Sequence, residues 1–348
     1  MGPAAVRALL AGLALALLAP GAAAEPPRER LVVQSGYGLA VPVLGETVRH
    51  FAERMGSEPS HGLRVRVYDA GKLVPPLQIF DAVSGGRLDA GFAFPAYWMG
   101  KIPAATVFAA VPFGPEAPEL LAWLHQGGGL EIWRRIYAPH GVVPIPCGVL
   151  PPEASGWFRK PIERAEDLVG LKIRYAGLGG RVLERLGASV TMLAAGDIFL
   201  ALERGVLDAT EYSMPAVDRP LGFYKVARHY YFPGWHQPAS ILELLVNRER
   251  WDSLRPEQRA AVETACDAST LFALTRGLAV QAEALDFFEA EGVTLHRWPE
   301  PLLARFREVS AQVMAEASAA DTAFAEAWRS LQEFRVRQGR WSRMATVR

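Results

Sequence analysis

IFDAVSGGRLDA at Ile79–Ala90 and IFLALERGVLDA at Ile198–Ala209 are two copies of one segment, 119 positions apart. Seven of the twelve positions are identical, and an eighth exchanges Val83 for Leu202. Each copy reads as a helix whose Ile, Phe and aliphatic residue pack on a sheet, a glycine that ends it, and a strand opening at Leu-Asp-Ala. Chance recurrence of helix-favouring residues does not sustain so many matches in register. Two similarly built α/β lobes follow.

Before the first copy, Leu31-Val32-Val33 starts a short strand that ends at Gln34–Gly38. Leu44, Val48, Phe51 and Met55 recur at helical spacing, and Leu63, Val65 and Val67 alternate with Arg64 and Arg66 as in a half-buried strand. Pro75-Pro76 open a second helix that Gly85-Gly86 closes, and Leu88–Phe94 is a third strand. This order predicts a parallel α/β sheet. Around the second copy, Gly170–Pro215 carries Arg174 after the apolar strand Leu171-Lys172-Ile173, a glycine turn at Gly177–Gly180, and Glu211-Tyr212 after the second strand. Ligands of open α/β sheets sit outside the carboxyl ends of the strands. The segments to inspect are therefore Phe94–Trp98 and Glu211–Met214.

Between the lobes the chain is rich in Pro and Gly, from Val142 to Gly148, then Pro151-Pro152 and Gly156-Trp157-Phe158. A second connection, Tyr230–Gln237, leads into the apolar strand Ile241–Val246. Two crossings make a hinge that can close around a ligand. After Arg255-Pro256 the propensity is almost wholly helical to about Arg337. Leu302, Phe306, Val309, Val313, Phe324, Trp328 and Leu331 predict long helices that brace the lobes, the last offering an apolar stripe to a second subunit. The expected fold is α/β, two-lobed and periplasmic-binding-protein-like, with a hinge and long C-terminal helices. Lobe 1 takes 25–148 and 238–282, lobe 2 takes 149–237 and 283–300, and 301–348 form the bracing or dimerisation helices and tail.

The first 24 residues read as a secretory signal peptide: Arg7, an apolar run from Ala8 to Leu18, and a cleavage site at Ala22-Ala23-Ala24. The run is too short for a membrane anchor, so export to the periplasm is expected. Thirty-seven basic residues balance 37 acidic ones, which argues against nucleic acid as a partner. Cys147 and Cys266 are too few for a disulfide framework. An exported protein could oxidise one pair, and spacing does not say whether these two join. A thiol nucleophile is the alternative, but no partner constellation accompanies either cysteine.

Several runs resemble one family, the periplasmic solute-binding proteins of tripartite ATP-independent (TRAP) transporters. They include Gly91–Lys101 with Tyr97-Trp98, Val111–Gly114, Pro146-Cys147-Gly148, Gly156–Lys160, Asp167–Arg174, Glu203–Ala209 and Leu221–Lys225. Gly222–Val226 with Tyr230-Tyr231 and Pro233-Gly234-Trp235 is similar to the branch that binds 2-oxo acids and lactate. The resemblance implies a small monocarboxylate ligand, a TRAP membrane permease as partner, and a carboxylate-binding arginine at Arg174. A guanidinium holds a carboxylate by two parallel hydrogen bonds, which lysine cannot do; a structural ion pair is the plainer alternative. Charge-assisted hydrogen bonds give about 1.5–3 kcal/mol each, whereas micromolar affinity needs about 8 kcal/mol. Closure of the other lobe must supply the remainder.

In that branch a cation site lies beside the ligand, with carboxylates at the positions of both Glu211 and Gln237. Here the second is an amide, which favours a monovalent cation such as Na+ over Ca2+, or no cation. The expected ligands to the cation are Glu211, Tyr212, Gln237 and Tyr175. Tyr97 and Trp98 are candidates for the opposite wall, core packing being the alternative for Trp98, with Tyr37, Trp157, Tyr212 and His236 as further ligand contacts, a structural donor role being the alternative for His236. Between Gly148 and Gly156 the chain reads VLPPEAS, a less polar edge than relatives carry. The rival reading is an exported enzyme or a sensor module acting on small carboxylates. Gly177-Leu178-Gly179-Gly180 only partly matches a dinucleotide turn, and HExxH, GxSxG, CxxC and P-loop motifs are absent from the sequence.

Overall fold

A computed structural model describes residues 29–345, so the expected signal peptide lies outside the described residues. Lobe 1 opens with β1 (Glu29–Ser35), β2 (Leu63–Tyr68) and β3 (Ala90–Ala93), mutually parallel about β1 and joined by the helices Leu44–Ser57 and Ile79–Ser84. The chain continues through β4 (Val142–Leu150) into lobe 2, where β5 (Gly156–Phe158), β6 (Lys172–Arg174), β7 (Ser189–Thr191), β8 (Ala209–Thr210) and β9 (His229–Phe232) follow. It returns as β10 (Ser240–Asn247) and ends its strands at β11 (Thr294–Arg297). One sheet has the order β2-β1-β3-β10-β4, the other β11-β9-β5-β8-β6-β7.

The repeated segment has the same geometry in both lobes. Gly86 and Gly205 both take left-handed backbone angles, φ 69° and 71°, where a side chain would be strained. After each, two amides fold back on one carbonyl, Ala82 in the first copy and Ala201 in the second. The aspartates act alike too. Asp89 accepts from the Val32 amide of β1 at 2.8 Å, and Asp208 accepts from the Lys172 amide of β6 at 3.0 Å. Each repeat thus ties the strand it opens to the parallel strand beside it, β3 to β1 and β8 to β6.

Three parts of the sequence reading are corrected. Val142–Gly148 is no connector but most of β4, buried throughout. It is an edge strand, paired only with β10, and an edge tolerates Pro144 and Pro146 because their missing N–H groups are not needed there. The glycines Gly177, Gly179 and Gly180 form the first turn of the helix Gly177–Arg185 rather than a turn before it. A Cβ on Gly179 would lie 2.7 Å from both His236 and Tyr175, so glycine lets this helix press against the second crossing. β11 interrupts the stretch expected to be helical: after Gly292 (φ 77°) the chain extends and adds a parallel strand to β9.

The lobes are joined at 151–155, at 233–239 and at Val280, between the helices Pro256–Ala279 and Gln281–Ala290. A Cys147–Cys266 disulfide fastens β4 to the helix Pro256–Ala279, deciding the pairing that spacing left open. The helix Glu300–Ala320 packs on Gly177–Arg185 of lobe 2, and Thr322–Ala345 packs on the lobe 1 helices between 105 and 137. Leu302, Phe306, Val309, Val313, Phe324 and Leu331 are buried in these contacts, with Trp328 half-buried. Ion pairs Arg185–Glu316 and Arg135–Glu326 bind the brace to each lobe at the surface. Among the described residues no helix is long and apolar enough to cross a membrane.

Candidate functional site

The two crossings meet between the sheets and hold each other through the backbone. Glu153 N donates to Gln237 O at 3.2 Å, Gly234 N to Glu153 O at 2.9 Å, and Ala154 N to Ser213 O at 3.0 Å. A Cβ on Gly234 would lie 2.2 Å from Glu153 O, so only glycine permits this approach. Here the lobes enclose a cavity in which the centre of a water-sized molecule can range over ≈ 20 Å³. About 10–15 Å³ suffices for one water, so the closed site suits a ligand of few atoms. A larger hollow of ≈ 580 Å³, lined by Met99, Leu178, Arg181 and Phe324 among others, lies beneath the bracing helices. Polar groups without partners converge on the small cavity and not on the large one, which identifies the small one as the candidate site.

Arg174, at the end of β6, is 1% exposed and lines the cavity. Its Nη1 donates to the Glu211 carbonyl at 2.6 Å and to Glu211 Oε2 at 2.8 Å, and the Tyr212 ring centre lies 5.4 Å from the guanidinium carbon. Glu211 follows β8, beside β6, so the parallel pairing brings the two ends together. Burial pushes the Glu211 carboxyl up, but Arg174, His236 and the Ala176 amide outweigh it and hold the group below its ordinary value. Glu211 Oε1 has no hydrogen-bond partner among the described residues.

Tyr37, Tyr97, Tyr212 and Gln237 also line the cavity. Burial raises the Tyr97 hydroxyl to about 12 against the opposing pull of Arg174. The remaining candidates lie elsewhere. Trp98 turns its indole into the lobe 1 core, donating to Glu243 at 2.5 Å, and Trp157 does the same in lobe 2, donating to Asp218 at 2.9 Å. Neither indole lines the cavity: one step along the helical turn rotates Trp98 by about 120° from Tyr97, and Trp157 is packed on Tyr230 and Phe288. Tyr175 packs against Trp235 and His236, outside the cavity lining. His236 stands behind Glu211, its Nε2 3.7 Å from Oε1.

Sequence reading missed Glu153 and Ser240, and reached Ser213 only within the segment Glu211–Met214. Glu153 lines the cavity at 5% exposure, so the supposedly less polar edge contributes a carboxyl. Burial first, and the nearby Glu211 charge second, push it well above the ordinary carboxylate range. The signal was present: Glu153 is the only charged residue between Gly148 and Gly156. The buried hydroxyls of Tyr37, Ser213 and Ser240 have no partners among the described residues. Leu44, Phe94, Leu150 and Leu242 supply the apolar part of the wall.

Residues 41–321 match the family described as bacterial extracellular solute-binding protein, family 7 (DctP). The chain is 36% identical over 317 residues to a monocarboxylate 2-oxoacid-binding periplasmic protein of a Nostoc species, covering 91% of this chain and 86% of the relative. A TRAP transporter solute-binding protein from Bordetella bronchiseptica, a mixed-occupancy dimer with calcium and picolinate in one active site, superposes with a TM-score of 0.89 at 31% identity, covering 92% of this chain and 95% of the other. One from Pseudoalteromonas atlantica, with bound sodium and pyruvate, gives 0.87 at 31% identity, covering 91% and 97%. These agreements extend over both lobes and the crossings between them, and the chain belongs to the DctP family of TRAP solute-binding proteins, receptors rather than enzymes.

Proposed function

We propose that the protein captures a small monocarboxylate of the 2-oxo acid or 2-hydroxy acid class, such as pyruvate or lactate, in the periplasm and delivers it to a TRAP-type permease. The observation that carries this reading is Arg174, a buried guanidinium at the wall of the cavity between the lobes. In this reading the ligand carboxylate meets Arg174 and Tyr97, and closure of lobe 1 with Tyr37 supplies the remaining affinity. The similarity to a 2-oxoacid binder and to a pyruvate-bound receptor supports that ligand class. The protein binds and releases its ligand without bond chemistry.

A cation fits the same site. Glu211 Oε1 is buried without a partner, and Glu153 adds a second carboxyl. Among the described residues no cluster of three or more Asp, Glu, His or Cys could hold a metal, so neutral oxygens must complete the set. Glu211, Tyr212 and Gln237, with Glu153 in place of Tyr175, would hold Na+ or Ca2+, hard ions that take oxygen ligands. When bound, the cation would offset the negative charge that the ligand and Glu211 bring against one arginine, and would favour ionisation of Glu153, which burial holds toward its neutral form. The last helix leaves Val336, Trp341 and Met344 at 75%, 65% and 82% exposure, apolar side chains set among Arg337 and Arg340 that a homodimer could cover.

Thermal shift and calorimetry with pyruvate, lactate and longer 2-oxo acids test the reading. Stabilisation by the short acids with the ligand recovered unchanged is the expected result. No response to any of them, or formation of a product, would overturn it.

A further inference from the structure

Each lobe buries a carboxyl that is not part of the cavity lining. Glu243 on β10 is 0% exposed, and its Oε1 accepts from Trp98 Nε1 at 2.5 Å, with the Tyr137 hydroxyl more distant at 3.4 Å. Asp218 in lobe 2 is 1% exposed, and its Oδ2 accepts from Trp157 Nε1 at 2.9 Å and the Tyr230 hydroxyl at 2.8 Å. In both, the second oxygen has no partner among the described residues. The two arrangements have the same composition: one acid, one indole and one phenol.

We propose that Glu243 and Asp218 are positioning residues of the ligand cleft, each clamping one of its walls through a tryptophan indole. Trp98 adjoins Tyr97 in the single helical turn Pro95–Trp98, and the two rings stand 6.1 Å apart at 87°. Fixing the indole in the core therefore fixes the phenol on the cavity side. In lobe 2, Trp157 sits opposite Thr210, the residue before Glu211, and Asp218 N donates to Met214 O. That clamp encloses the segment Glu211–Ser213 from both ends.

Energetics argue that these acids are not there for stability. Burying a carboxyl costs several kcal/mol unless fully satisfied, and burial raises Asp218 to about 7 and Glu243 to about 8. An apolar replacement of both members of a buried polar pair is often neutral or stabilising. Stability and wall geometry can therefore be separated by mutation.

The inference rests on the proposed ligand class only for its affinity readout, with pyruvate as the probe. In the double variant Glu243→Leu/Trp98→Phe the protein stays folded, with a melting temperature lowered only by the cavity that the smaller ring leaves, while the pyruvate Kd rises about tenfold and amide exchange over 94–99 accelerates. Glu243→Gln, which keeps an acceptor at Oε1, restores Kd to within about threefold of the wild type. Asp218→Leu/Trp157→Phe and Asp218→Asn repeat the comparison, with exchange read over 211–216. Native affinity and native exchange in the folded double variants would overturn the inference. Should a double variant not fold, Glu243→Leu or Asp218→Leu alone, which removes the buried acid and leaves only neutral donors unpaired, decides by the same readings. If the wild type binds no carboxylate, the proposed ligand class fails, and local exchange alone decides the clamp.

Discussion

Glu153 and Gln237 face each other from the two crossings: with its amide nitrogen turned to the acid, Gln237 donates to both Glu153 oxygens at 2.8 and 3.2 Å. Glu153 thus places a carboxyl beside the amide of Gln237. The site keeps two acids, Glu153 and Glu211, against one arginine.

From this pairing, Glu153→Gln should abolish most of any effect of Ca2+ on ligand affinity and leave an effect of Na+. Calorimetry on chelator-treated protein, with each ion added back, measures it. Pyruvate affinity that ignores both ions in the wild type would remove the cation from the site.

Arg174→Lys keeps the charge but loses the planar fork, and should weaken pyruvate binding about tenfold or more without unfolding the protein. The ratio of Kd values and a circular dichroism melt read the two effects separately. Unchanged affinity would exclude Arg174 from ligand contact.

The Glu243 carboxyl, raised by burial to about 8 against its Trp98 and Tyr137 hydrogen bonds, gives a signed pH effect. Between its ordinary value of about 4.3 and the folded value, the folded state binds more protons than the unfolded one, so this group's contribution to stability falls as pH rises through that window. Glu243→Gln should flatten that decline. Melting temperatures of variant and wild type that run parallel from acid to pH 8 would contradict it.

Gly234→Ala forces a Cβ to within 2.2 Å of a backbone carbonyl. The crossings must separate, at a cost of about 1–3 kcal/mol, and ligand affinity should fall with stability. Chemical denaturation of the variant checks the size. A native midpoint would mean that the crossings yield freely.

Trp341→Glu and Met344→Glu place charges on the exposed face of the last helix. If that face joins two copies, light scattering should show a dimer for the wild type and a monomer for the variants. A wild-type monomer would dismiss the interface.

Legibility in the sequence followed periodicity and repetition. Ile79–Ala90 and Ile198–Ala209 revealed the paired lobes because helix, glycine and strand recur in one register. Arg174 and Glu211 were visible as polar residues ending apolar strands. Trp98 takes its core alternative and Trp157 misled, since an aromatic points toward cavity or core depending on one step along the backbone. Glu153 was hidden because its partner Gln237 is 84 positions away and meets it only through the antiparallel approach of two irregular crossings. β4 was obscured by its prolines, whose edge position depends on which strand pairs with which.

The Cys147–Cys266 bond has a mechanical consequence. It rivets β4 to the helix Pro256–Ala279, and two of the three inter-lobe passages depart from those elements. Lobe 1 therefore moves as one jaw whose sheet cannot slide along its longest helix. Rotation of the other jaw has to be absorbed at 151–155, 233–239 and Val280, and the first two of these carry Glu153 and Gln237. The bearing of the jaw and the lining of the binding site share the same residues, so what occupies the site sets how far the jaw can turn.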